Sequence, residues 1–393
     1  RLKLQTVLRY ADAKTDIDIQ GGSGGDDPNA TTQTRQLIAG LRATKRFLDD
    51  HLKSSLAVSY VDGKRSGLNR PDIFHATDSS DQFRSAIAKV ESDHELALGE
   101  SHTLRADLQW RSERGLSTET LNGARSSFAQ KSQSLPGAAL TYLYDDETRF
   151  FDIGARGDLA PPHDVIPSLR ASVGSRFLEH RAKVSLSYGT GFKIPSLYQR
   201  YSVYGEKTLH EETSDTVELS VDHQATEKIS LGLTIFENHF RSLIDYDTSA
   251  NHYFNVSRAM TRGLEAQTSF QALPSLKLGA SYDYLESSDA KTGLALLRRP
   301  KNAWNVSASY APDAWETIAR YRFKGARADA DPTTFARIES ASYGVLSLES
   351  SYLLSKRFKV HGRIENVFNT TYEEVAGYGN AGVSFFLGLT GEI

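Results

Sequence analysis

From Val184 to Ile393 the chain repeats one unit: two strands in which apolar and polar side chains alternate, a tight turn, then a long polar connection. Val184, Leu186 and Tyr188 alternate with Ser185, Ser187 and Gly189, and Leu276, Leu278, Ala280, Tyr282 and Tyr284 alternate with Lys277, Gly279, Ser281 and Asp283. Successive strand side chains point to opposite faces, so each strand has one greasy face and one polar face. Sustained this long without a helical stretch, the pattern predicts a large antiparallel transmembrane β-barrel, all-β, with lipid outside and a wet lumen. Leu276, Leu278 and Ala280 should face lipid, and Lys277, Gly279 and Ser281 the lumen.

The connections order the strands. Short ones fall at Phe177 to Arg181, Ala225 to Lys228, Leu273 to Ser275, Ala311 to Trp315 and Leu354 to Arg357. Long polar ones fall at Thr190 to Ser214, Arg241 to Asn255, Glu286 to Pro300, Gly325 to Ala341 and Asn366 to Gly379. Strict alternation puts the tight turns on one rim and the long loops on the other, the outer rim in outer-membrane barrels. The first half is less regular, with strands expected near Leu2 to Tyr10, Gln33 to Thr44, Leu52 to Val61, Arg84 to Glu91 and His102 to Trp110. The count comes to about 19 strands. No linker or composition shift divides the chain, so residues 1–393 read as one barrel domain.

Composition agrees. The 393 residues are only 39% hydrophobic, yet include 18 Tyr and 18 Phe; the mean hydropathy is -0.44. A barrel with a polar lumen needs no thick apolar core. No apolar run approaches the roughly 20 residues of a spanning helix. The net charge of -3 without a basic block gives no sign of nucleic-acid binding, and the absence of cysteine excludes disulfides, thiolate metal sites and a cysteine nucleophile. The sequence opens at Arg1 in mid-strand without a signal peptide, so it is expected to be less than a full precursor.

Several ordered segments carry a family resemblance. Tyr188-Gly-Thr-Gly-Phe-Lys-Ile-Pro-Ser-Leu-Tyr-Gln-Arg-Tyr201 resembles the "YGxxFKAPSLxQLY" segment of TonB-dependent outer-membrane receptors, and Glu212 to Leu219 follows where that family has its "E.S...E.G" strand. Leu243-Ile-Asp-Tyr-Asp247, Phe254 to Ala266, Leu296-Leu-Arg-Arg-Pro300 and Ile364-Glu-Asn-Val-Phe-Asn369 with Tyr372 complete the set. Within the family the wording is most similar to the cobalamin receptors. The resemblance implies a barrel of 22 strands filled by an N-terminal plug that contacts the TonB complex. This chain departs from it: TonB box and plug are absent, some strands are missing, and the end, Gly-Glu-Ile393, lacks the family's terminal aromatic residue.

Candidate sites lie in the long connections. Asp16, Asp18, Asp26 and Asp27 flank Gly21-Gly-Ser-Gly-Gly25, with Asp78 and Asp81 in the next long loop. Carboxylates on a flexible backbone suit calcium, and the resemblance implies calcium-ordered extracellular loops; the plainer reading is solvated loop residues. Tyr198, Tyr201 and Tyr204 could stack on a flat corrinoid or a siderophore, or anchor the loop at the membrane boundary. Arg298 and Arg299 could read a phosphate or carboxylate, or stand as rim charges. His210, His223, His239 and His252 are a loose group with no paired metal spacing, and haem ligation is the idea they raise.

No nucleophile elbow or phosphate-binding loop is present, so the chain does not read as an enzyme. Three functions stay open. One is a TonB-dependent receptor for a scarce bulky nutrient, a corrinoid first and ferric siderophore or haem second. Another is an open porin-like channel, its lumen charged by Arg105, Asp107, Glu218, Asp222, Lys277 and Asp283. The third is a recognition surface for phage or bacteriocin. No covalent cofactor is implied. The location is the outer membrane, with the bilayer as partner.

Overall fold

A computed structural model describes residues 2–17, 27, 29–72, 76–160, 164–247, 250–255 and 258–391. The first half of the wall is β1 (Lys3–Asp16), β2 (Thr31–Phe47), β3 (Leu52–Asn69), β4 (Ser79–Ala97), β5 (His102–Leu121), β6 (Ala124–Asp145), β7 (Arg149–Ala160), β8 (Asp164–Phe177) and β9 (Ala182–Lys193). A short helix, α1 (Leu197–Tyr201), interrupts the connection to β10 (Glu212–Thr226) and β11 (Ile229–Arg241). A hairpin of β12 (Ile244–Asp247) and β13 (His252–Asn255) leads to β14 (Arg258–Leu273), β15 (Leu276–Asp289), β16 (Asn302–Tyr310) and β17 (Trp315–Lys324). Two further hairpins, β18 (Arg327–Ala330) with β19 (Arg337–Ser340) and β22 (Glu373–Val375) with β23 (Tyr378–Gly379), surround β20 (Tyr343–Ser355) and β21 (Phe358–Glu365); β24 (Ser384–Gly391) ends the wall.

Eighteen strands form one antiparallel sheet in which each wall strand pairs with the next along the chain. The expected count of about 19 agrees with the wall to within one strand. Three of the long connections fold instead into separate two-stranded hairpins. The five tight turns and five long connections fall where the alternation places them.

Register converts the alternation of single strands into bands. Lys183, Asp222, Gly232, Gln267, Ser281 and Asn305 lie side by side across β9 to β16. The row one residue along is Val184, Val221, Leu233, Ala266, Tyr282 and Trp304. The polar row faces the lumen, as expected for Ser281 and its neighbours. Leu8, Leu41, Val58, Leu108, Leu140, Val173, Leu186, Leu278 and Val306 are exposed on the outer face, which a bilayer would cover.

Two aromatic girdles bound that apolar belt. Near the tight turns are His102, Tyr144 and Phe151, with Trp315 against Tyr352 farther round. Toward the long loops are Tyr60, Trp110, Tyr188 and Tyr282, and Trp304 stacked on Phe323. From His102 to Trp110 the strand runs about 27 Å, which tilted at roughly 45° spans about 20 Å of bilayer. Amphipathic rings settle at such boundaries.

Strands β2 to β6, of 17 to 22 residues, exceed the membrane and carry the wall well above the outer girdle. The five first-half strands expected from alternation are all present, and four of them run far past their expected limits on the long-loop side: β1 ends at Asp16 for Tyr10, β3 at Asn69 for Val61 and β5 at Leu121 for Trp110, and β4 starts at Ser79 for Arg84. Above the membrane both faces are wet, so the alternation that marks a strand is lost.

Candidate functional site

The connection between β9 and β10 folds into the mouth of the barrel on the long-loop side. Ser196 caps α1: its hydroxyl accepts from the Gln199 amide, and the Gln199 side chain accepts from the Ser196 amide. This reciprocal pair satisfies two amide donors that a one-turn helix leaves open. Leu197, 6% exposed, packs on Gly115, where a Cβ would stand 3.2 Å from its Cδ1. Gly115 therefore permits the close approach of helix to wall.

Tyr198 is seated by this contact. Its hydroxyl donates to Glu119 Oε1 at 2.9 Å, and its ring meets Phe83, Phe128 and Tyr253 edge-on at 6.2 to 6.4 Å. Tyr246 links the cluster outward, 5.3 Å from Tyr253 and 5.8 Å from Tyr204. Edge-to-face ring pairs contribute about 0.5–1.5 kcal/mol each. The β12–β13 hairpin is tied to this loop by the Tyr253 amide donating to Tyr204 O at 2.9 Å and by Asn255, which accepts from the His210 amide and donates to His210 O and Ser242 O. Burial, then the hydrogen bond to Glu119, pushes the Tyr198 hydroxyl well above the usual phenol range. It remains a proton donor at any physiological pH.

Beside Tyr198 and Tyr204 opens a recess of about 460 Å³ lined by Arg65, Asp81, Phe83, Ser117 and Glu119. Arg65 pairs with Asp81 at 3.2 Å. The recess offers ring faces, hydroxyls, the Arg65–Asp81 ion pair and the Glu119 carboxylate, which also accepts from the Ser117 hydroxyl.

Of the residues singled out from sequence, Tyr198 and Tyr204 converge on this recess, and Tyr201 lies beneath the Lys131 ammonium at 5.3 Å. Arg298 and Arg299 lie elsewhere. Arg298 Nε donates to Asp329 Oδ1 at 2.8 Å, and Arg299 donates to the Arg298 carbonyl. Asp329 is fully buried and also accepts from the amides of Ala330 and Ala376 and from the Ser340 hydroxyl. It thereby knots three loops together. Burial pushes this carboxyl up, but the Ala376 amide, the Arg298 guanidinium and the Ala330 amide outweigh it and hold it below the usual range.

Among the acidic residues, Asp18 and Asp26, with the Gly21 to Gly25 run, lie outside the described residues. Asp27 is buried and accepts from the Ala30 amide and from Asn69. Asp78 pairs with Arg70 and Asp81 with Arg65, while Asp16 ends β1 exposed. Among the described residues no cluster of three or more His, Asp or Glu side chains has metal-binding geometry. His223 and His239 sit on wall strands and His252 in the β12–β13 hairpin.

Phe83, Glu119, Phe128, Tyr246, Tyr253 and Asp329 went unnoticed in the sequence as site residues. Glu119 and Phe83 lie on strand extensions where alternation gives no signal, and Glu119 is 79 residues from Tyr198. The Leu243 to Asp247 segment, inside the long connection expected from Arg241 to Asn255, is mostly the β12 strand of a loop hairpin.

A wall of this kind, belted by lipid-facing residues and roofed by long loops, defines an outer-membrane β-barrel. The family model for "TonB dependent receptor-like, beta-barrel" matches residues 3–367, and the chain belongs to that family. Solved structures with the same fold include the copper transporter OprC (TM-score 0.82, 15% identity, 99% of this chain and 69% of that one). The FpvAI–pyocin S2 complex matches at TM-score 0.77, 13% identity, 99% of this chain and 64% of that one. The ferric yersiniabactin uptake receptor FyuA from Yersinia pestis matches at TM-score 0.78, 11% identity, 98% and 66%. The chain spans about two thirds of the length of each. The family and these neighbours are receptors and transporters, not enzymes.

Proposed function

We propose that the protein is the barrel portion of a TonB-dependent uptake receptor for a bulky, scarce nutrient captured at the outer rim. The observation that carries this reading is the aromatic recess at Tyr198. A rigid, half-buried ring cluster with a hydroxyl donor and a charge pair suits a large ligand with flat faces and polar edges. A corrinoid has that chemistry, and the resemblance of Leu243 to Asp247 and Phe254 to Ala266 to cobalamin receptors favours it. Ferric siderophores are the alternative, favoured by the named ligand of the FyuA neighbour. Passage inward would use a plug and the TonB complex. Bacteriocins would exploit the same loops, as the pyocin in the FpvAI complex suggests.

The test is equilibrium binding and uptake of cobalamin and of ferric siderophores by cells carrying the complete receptor. Tyr198→Ala is expected to weaken binding of the true ligand tenfold or more, about 1.4 kcal/mol. Siderophore binding without cobalamin binding would remove the corrinoid and keep the receptor. Ion conductance with no affinity for either would leave a porin-like channel.

Calcium ordering of the first long loop is also proposed, on the carboxylates of Asp16 and Asp27 and the buried Asn69 Oδ1, which has no hydrogen-bond partner among the described residues. Calcium titration should protect this loop from proteolysis and release binding heat. Neither change appearing would end the idea.

A further inference from the structure

We infer that the outer face of β1 to β5, just above the long-loop girdle, is a docking surface for the phosphorylated headgroup of an outer-leaflet lipid. Arg35 on β2 lies directly opposite Lys64 on β3, and Lys64 directly opposite Arg84 on β4. Three cations therefore stand side by side on adjacent strands about 4.8 Å apart. Like charges in directly opposed positions destabilise a sheet, so the wall gains nothing from them. Arg114 on β5 lies one row nearer the membrane, opposite Ala86. Lys14 on β1 lies one row farther out, opposite Gln33.

Three acids share the face with these five cations: Asp12 pairs with Arg35 at 3.1 Å, Asp62 pairs with Arg84 at 2.9 Å, and Asp16 lies one row beyond Lys14 on β1. Among the described residues, Lys14, Lys64 and Arg114 have no ion-pair partner. Elsewhere on the same face Arg241 pairs with Asp215 and Arg262 with Glu286, while Arg258, directly opposite Arg241, has no ion-pair partner among the described residues.

Height selects the occupant. Lys64 lies four residues beyond Tyr60 of the outer girdle, about 13 Å along a strand tilted by roughly 45°, hence about 9 Å above the hydrocarbon edge. Long side chains reach down from there into the headgroup layer. The surface immediately below is the belt of Leu37, Tyr60 and Trp110, so a lipid whose chains lie on that belt brings its phosphates under the row. Guanidinium forks match phosphate oxygens in pairs, and a phosphorylated headgroup relieves the repulsion that the fold leaves in place.

The experiment measures retention of lipid A by the complete receptor in phosphatidylethanolamine nanodiscs, with and without 0.5 M salt. The triple variant Arg35→Gln, Lys64→Gln, Arg84→Gln is expected to retain lipid A about a hundredfold less strongly, at roughly fivefold per cation. High salt should act likewise on the wild type, and Arg262→Gln should change nothing. If the triple variant does not form a heat-resistant barrel, Lys64→Gln, which breaks no ion pair, should lower retention about fivefold. Unchanged retention in whichever variant folds overturns the proposal. Inorganic pyrophosphate binding the solubilised protein as tightly as lipid A would also overturn it, by assigning the row to a soluble anion.

Discussion

Replacing Leu278 by Arg should destabilise the barrel by about 2 to 4 kcal/mol, measured by denaturant unfolding in lipid, whereas Ser281→Arg should be tolerated. Both positions lie on β15, three residues apart, and differ only in the face they occupy. Leu278 is opposite Phe270 and Ala308 on the outer face; Ser281 is opposite Gln267 and Asn305, and the Asn305 amide donates to its hydroxyl. A guanidinium at the first position is forced into hydrocarbon; at the second it meets water and polar side chains. The chain has no cysteine, so single cysteines introduced at the two sites give a clean readout. A membrane-impermeant maleimide should label Ser281→Cys and spare Leu278→Cys; equal labelling would sink the assignment of faces.

The second large effect is expected at Asp329. Its carboxylate joins the loop carrying Arg298, the β18–β19 hairpin and the β22–β23 hairpin. Asp329→Ala leaves the buried Ala376 amide without an acceptor, a loss of about 1 to 3 kcal/mol in local stability. Hydrogen exchange at Ala376 should accelerate roughly tenfold to a hundredfold, with the wall strands unaffected. Arg298, already half-exposed, can turn to water. The pH dependence has a definite sign. The carboxyl is held below its ordinary value, so its contribution is complete above about pH 4 and is lost as the pH falls through the lowered folded value. The loops should stay docked at mildly acid pH and loosen only in strong acid, and Asp329→Asn should abolish that dependence. Exchange at Ala376 indifferent to the Ala substitution would show that the knot does not hold the loops.

The sequence by itself determined the wall. The alternation in Val184 to Gly189 and Leu276 to Tyr284 assigns each side chain to lipid or lumen, because a strand has only two faces. Short turns such as Pro274 and Ser275 against long connections such as Arg241 to Asn255 assign the rims. These are local signals with a period of two, legible wherever one face is greasy and the other wet. They fail above the membrane, where β5 runs on from Trp110 to Leu121 with water on both sides, and in β12, β18 and β22, strands of three or four residues that are too short to show any period.

Only the tertiary structure decided what the loops do. It separated Tyr198, which enters an aromatic recess, from Arg298, which is spent on Asp329, although both read as loop candidates of equal standing. It also set Arg35, Lys64 and Arg84 side by side, cations that are scattered along the chain. The partners involved lie tens of residues apart, and which of them meet depends on strand register and loop folding. A side chain's periodicity fixes the face it points to; its partner is fixed only when the whole sheet has paired.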